Sequence, residues 1–204
     1  MKISSIFILI LFTNYLGFTK EDILEKNKWS SEKANDWYAQ HNWMTGANLN
    51  PSTAMNQLEI WQEATFDAET IDRKLDFAVG IGFNTMRVYL HSLAYKVDWG
   101  KTLKMGKQLV PVSGTHNSGW VQDPGNPASK EEKNYMTLEF CVKDILKTFG
   151  DDKRILIWDI YNEPGNTDKL ASSMSLLEHV FTCTKEINPN QPLTVVFGHG
   201  IFTS

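Results

Sequence analysis

The chain has 204 residues, 42% hydrophobic and 22% charged, which is enough for one domain with a sizeable core and excludes a disordered chain. Its net charge of −4 and pI near 5.7 argue against a nucleic-acid partner. Two cysteines, Cys141 and Cys183, make no disulfide framework and have no metal-ligand spacing around them, so buried free thiols are expected. No Gly-rich phosphate loop and no His/Cys cluster is present, so no cofactor and no metal are expected.

Met1-Lys2 followed by the apolar run Ile3 to Phe12 reads as a secretory signal over residues 1–19. The run is too short to span a bilayer as a stable helix. No cysteine sits beside the expected cut, which disfavours a lipid anchor. Asn50-Pro51-Ser52 is the one Asn-x-Ser/Thr sequence, and its proline blocks glycosylation. The expectation is a secreted or periplasmic protein with no stable membrane anchor.

Residues 20–40 are polar with helical spacing around Ser31 to Tyr38, an entry helix to a domain covering 41–204. Trp43 to Asn48 is the first expected strand, and Asn56 to Trp61 is expected to cross the top of the fold. Asp67 is a plausible N-cap for a helix over Ala68 to Val79, with Ile71, Leu75 and Ala78 on one face. Gly80 and Gly82 stop it. Thr85 to His91 is the second strand, and its alternation separates Met86, Val88 and Leu90 from Arg87, Tyr89 and His91. A charged Arg87 in mid-strand needs a partner. A structural salt bridge meets that need as simply as a functional role does.

Ser92 to Pro127 carries no strand or helix signal, which is long for a structureless stretch in a compact domain. Ser129 to Glu132 is a capping box opening an amphipathic helix with Tyr135, Leu138, Val142, Ile145, Leu146 and Phe149 on one face and Gly150 at its end. Ile155 to Tyr161 is an apolar run that reads as a buried parallel strand. It leads into Asn162-Glu163-Pro164, an amide and a carboxylate at a strand end. Leu176 to Ile187 marks a further helix closed by Asn188-Pro189, and Leu193 to Phe197 is the last strand. Strands alternating with helices imply parallel βα units, an α/β fold with four strands. Seven Trp are present, and Trp37, Trp43 and Trp158 are expected in the core.

The string Trp158-Asp-Ile-Tyr-Asn-Glu-Pro164 resembles the acid/base strand of the retaining (β/α)8-barrel glycoside hydrolases of the family-five-like clan. Thr115-His-Asn-Ser-Gly-Trp-Val-Gln-Asp-Pro-Gly125 is similar to a substrate loop in a subgroup of secreted bacterial members. The resemblance implies hydrolysis of O-glycosyl bonds in a β-linked polysaccharide. It makes Glu163 the acid/base, with a raised pKa, and Asn162 a hydrogen-bond partner of the sugar 2-hydroxyl. Arg87 would orient catalytic carboxylates from the barrel floor. His91, His116, Asn117 and Trp120 are candidates for substrate contact, although each also reads as an ordinary polar or packing residue.

Two elements of the family pattern are missing. Its members place a helix and a third strand before the substrate loop, whereas here Val97 to Gly100 runs almost directly into it. A closed barrel takes about 250 residues, and this chain without its signal falls below the lower end of the range, about 200 residues. The expected fold is therefore a partial (β/α)8 TIM barrel lacking one internal βα unit and the C-terminal half. Open barrel edges favour self-association. Downstream of Glu163 the only Glu residues are Glu178 and Glu186, both in helix patterns, and Asp159 faces the interior of the sheet stack. No residue fills the nucleophile role, so the chain alone is expected to lack the full retaining mechanism. Two readings stand: an incomplete copy of a secreted polysaccharide hydrolase, or a non-catalytic sugar-binding protein that uses Trp120 as a platform.

Overall fold

The computed structural model describes residues 28–96, 112–115, 119–123, 132, 135–164 and 170–196. The chain divides into two compact units, one ending at Tyr38 and one running from Ala39. The expected signal, and the Ser129 end of the capping box, lie outside the described residues.

In the first unit the entry helix α1 spans Ser31–Ala39. Ser30 caps it, its Oγ accepting from the Lys33 amide at 3.1 Å. None of its residues is buried. Trp37 meets Trp29 edge-on at 6.4 Å, and the Lys33 ammonium lies 4.3 Å from the Trp29 ring centre.

The second unit contains two parallel strand pairs. Strand β1 (Gly46–Asn48) pairs with β2 (Thr85–Arg87) in the register Gly46 to Thr85, Ala47 to Met86 and Asn48 to Arg87. Gly46 permits this approach, because a Cβ there would lie 1.9 Å from the Thr85 carbonyl oxygen. The crossover carries helix α2 (Ala68–Gly80). Asp67 caps α2 as expected, its Oδ1 accepting from the Thr70 amide at 3.0 Å. That bond holds the Asp67 carboxyl below its usual range. Gly82, at φ +87°, turns the chain out of the helix, and the Phe83 amide reaches back to Ala78 O at 2.9 Å.

Before β2, residues Asn56 to Ile60 are buried and end in a 3₁₀ turn, Glu59–Trp61. After β2 a five-residue helix α3 (Ser92–Lys96) forms where no element was expected. Helix α4 (Tyr135–Phe149) then leads to β3 (Trp158–Asn162), helix α5 (Leu170–Ile187) and β4 (Leu193–Val196), which pairs parallel to β3. α4 packs on α5, and α5 on β3. Tyr135, Leu176 and Val180 are buried in that seam, with Leu138, Val142, Ile160 and Tyr161 packed around them. Gly150 ends α4, its amide bonded to Leu146 O at 2.8 Å. Both cysteines are buried and unbridged, and burial pushes the Cys183 thiol up to about 11.

The class is therefore α/β with parallel pairing, as expected, but the two pairs form separate two-stranded sheets and no closed barrel. Several expectations are corrected. The second strand stops at Arg87 rather than His91, and Val88 and Leu90 are about 45% exposed. The central strand starts at Trp158, not Ile155, and is only half-buried. Trp43 is not core but 76% exposed, its neighbour Asn84 bonding only its carbonyl.

Candidate functional site

The end of β3 departs from simple alternation. Asp159 pairs with Thr194 and Asn162 with Val196, so the four residues 159–162 on β3 are matched by the three residues 194–196 on β4. Side chains three apart on a regular strand point to opposite faces. The extra residue in this bulge brings Asp159 and Asn162 to one side. Arg87 from β2 meets them both there. Its Nη2 donates to Asn162 Oδ1 at 2.8 Å and also to Asp159 Oδ2. The partner of this arginine at the end of β2 is thus Asp159, and the guanidinium links the two strand pairs.

The electrostatics of this cluster are mixed. Burial pushes the Asp159 carboxyl above the usual range, while the Arg87 charge and hydrogen bond, with the Val196 and Tyr161 backbone, draw it down. Arg87 is a donor at every nitrogen, so its bond to Asn162 identifies the bonded atom as the amide oxygen. The Asn162 Nδ2 group is left directed elsewhere, on an exposed residue. A strand end that presents an oriented amide donor suits recognition of a hydroxyl.

Glu163 follows at once. It is exposed, its backbone is left-handed at φ +52°, and its amide donates to Val196 O at 2.7 Å. For a residue other than glycine that conformation costs about 1 kcal/mol or more, and such strain gathers where a side chain must be aimed. Pro164 behind it is fully buried, which seats the turn.

On its other side Arg87 meets an aromatic group. Nη1 donates to the Tyr89 hydroxyl at 2.8 Å and the guanidinium lies 4.6 Å from the ring centre. The Tyr89 ring stands edge-on to Trp120 at 5.1 Å. Trp61 packs rather than projecting, its indole N–H bonded to Tyr89 O at 2.6 Å. Trp120 is half-buried and so keeps some surface open to a ligand.

His91 is placed differently. Its side chain is wholly buried, and its Nδ1 lies 3.6 Å from Asp123 Oδ1 and 3.2 Å from the Leu93 amide. Burial lowers its pKa, against the opposing pull of Asp123 and the Val121 backbone. The ring, expected as a substrate contact, is thus shielded from solvent in this structure. His116 and Asn117 lie outside the described residues. Asp123 and Gln57 were not anticipated. Nothing periodic marks them, since each bonds a distant loop or helix end.

Among the described residues no cluster of three metal-ligating side chains occurs, and no helix is long and apolar enough to cross a membrane. The chain matches no family model, no curated protein and no solved structure.

Proposed function

We propose that this chain carries the acid/base wall of a retaining glycoside hydrolase acting on β-linked polysaccharide, and that its two βαβ units are part of a (β/α)8 barrel. The observation that carries this reading is the bulged end of β3, where Arg87 orients Asn162 beside the outward-facing Glu163. In parallel α/β folds chemistry is placed at the C-terminal ends of strands. Glu163 donates a proton to the leaving glycosidic oxygen and then takes one from the attacking water. Asn162 Nδ2 donates to the sugar 2-hydroxyl, a bond that strengthens in the transition state. Asp159 holds Arg87, and Arg87 holds Asn162.

The covalent step of a retaining mechanism needs a second carboxylate about 5 to 5.5 Å from the first. Of the four described strand ends only that of β3 runs into one. A second reading is a secreted protein that binds sugar at the same wall without cleaving it.

One experiment tests the proposed wall. The purified chain is incubated with β-mannan, xylan and β-glucan while reducing ends and binding are followed. Turnover that falls about a thousandfold in Glu163→Gln supports the hydrolase. Turnover unaffected by that change overturns it. Binding without turnover is expected both of an acid/base wall without its nucleophile and of the second reading, and a folded chain that does neither overturns both.

A further inference from the structure

The segment Gly119 to Asp123 has no secondary structure, yet it is tied down along its length. The Asp123 carboxylate accepts from the Ser92 amide at 2.7 Å and the Ser92 hydroxyl at 2.5 Å. Gln57, itself buried, donates from Nε2 to the Val121 carbonyl. The buried His91 ring faces both Asp123 and the Val121 backbone. Between these fasteners and the site lies Trp120, edge-on to the same Tyr89 ring that carries the Arg87 guanidinium. Contacts therefore run from Trp120 through Tyr89 and Arg87 to Asn162, and Asp123 lies three residues along the chain from Trp120.

A helix cap alone is a smaller role than this geometry supplies. Both Asp123 oxygens are engaged at Ser92, the first residue of a five-residue helix that is marginal by itself, and the same two bonds fix the 119–123 segment to it. What the anchorage does determine is the position of Trp120 against Tyr89. A flat ring held before ligand arrives spares the entropy of ordering it, which raises affinity without a new contact.

We propose that Asp123 is a positioning residue for a sugar-stacking wall: by clamping the 119–123 segment to Ser92 it holds Trp120 beside Tyr89, next to the Asn162-Glu163 strand end. The sugar part rests on the function proposed above, whereas the clamp does not. Asp123 itself touches no substrate.

The test has two arms on the intact chain. In the first, hydrogen exchange of the Trp120, Val121 and Gln122 amides is compared between the natural chain, Asp123→Asn and Asp123→Ala. Exchange rising about tenfold or more in Asp123→Ala, with Asp123→Asn between, is expected for a lost fastener that an amide oxygen partly replaces. Unchanged exchange overturns the clamp. In the second, binding of xylo-, manno- and cello-oligosaccharides is measured for Asp123→Ala, Trp120→Ala and the double variant. Each single change is expected to weaken binding about tenfold, and the double variant no further, because both remove the same wall. Fully additive losses overturn the coupling of Asp123 to Trp120. If the natural chain binds no oligosaccharide, the sugar wall falls with the proposed function, and the exchange arm still decides the clamp.

Discussion

The guanidinium of Arg87, on one parallel strand pair, donates at 2.8 Å to the side-chain oxygen of Asn162, on the other. The same Nη2 bonds Asp159, so one cation joins both pairs and fixes which way the Asn162 amide faces. Stability and site geometry depend here on the same group.

Arg87→Lys keeps the charge but loses the planar fork that reaches two acceptors. The expected loss is about 2 kcal/mol in urea unfolding, the worth of hydrogen bonds to a charged group plus the cost of a poorly satisfied Asp159. Asp159→Asn added to Arg87→Lys should recover part of it. A single-variant change below about 0.5 kcal/mol would contradict the role given to Arg87.

At Glu163 the left-handed backbone favours glycine over any residue with a Cβ. Glu163→Gly is therefore expected to be more stable than Glu163→Ala by about 1 kcal/mol, read from their unfolding midpoints. Equal stabilities would mean that the chain relaxes away from φ +52° in the variants.

Gly46 gives the opposite sign. Gly46→Ala sets a methyl 1.9 Å from the Thr85 carbonyl oxygen, so β1 must move away from β2. A loss of about 3 kcal/mol is expected, at the upper end of ordinary overpacking. A melting temperature unchanged by that substitution would show that the pairing of Gly46 with Thr85 is not held in solution.

His91 supplies a pH dependence. Burial lowers its folded pKa below the ordinary value near 6.5, so the unfolded chain takes up a proton first as pH falls. Its contribution is intact above about pH 6.5 and is lost as pH falls through the lower, folded value. NMR titration should place the His91 midpoint below that of an exposed histidine. Asp123→Asn should lower it further, because the carboxylate is what opposes burial. A rise on that substitution would contradict the arrangement of the two groups.

Much of the scaffold was legible in the sequence because its signals are local. Asp67 caps its helix, Gly150 ends α4, and Asn188-Pro189 ends α5, each through a bond or backbone preference visible within a few residues. Parallel pairing followed from alternation of strands and helices. The site was legible only in part. The bulge cancels the parity that separates Asp159 from Asn162, so the partner of Arg87 was hidden although Asp159 is the sole acid within β3. Asp123 lies thirty-one residues from Ser92, and no periodic pattern signals such a bond. Trp43 shows the converse failure, since a large apolar ring was expected inside and lies exposed.

The most direct measurement of the central claim is an NMR titration of the folded chain with xylo-, manno- and cello-oligosaccharides, following the Asn162 side-chain amide and the Trp120 indole. The account predicts that one of these sugars shifts both signals together, saturably, and that Arg87→Lys weakens the response at Asn162. If all three sugars leave both signals unmoved in a folded sample, the end of β3 is not a sugar site.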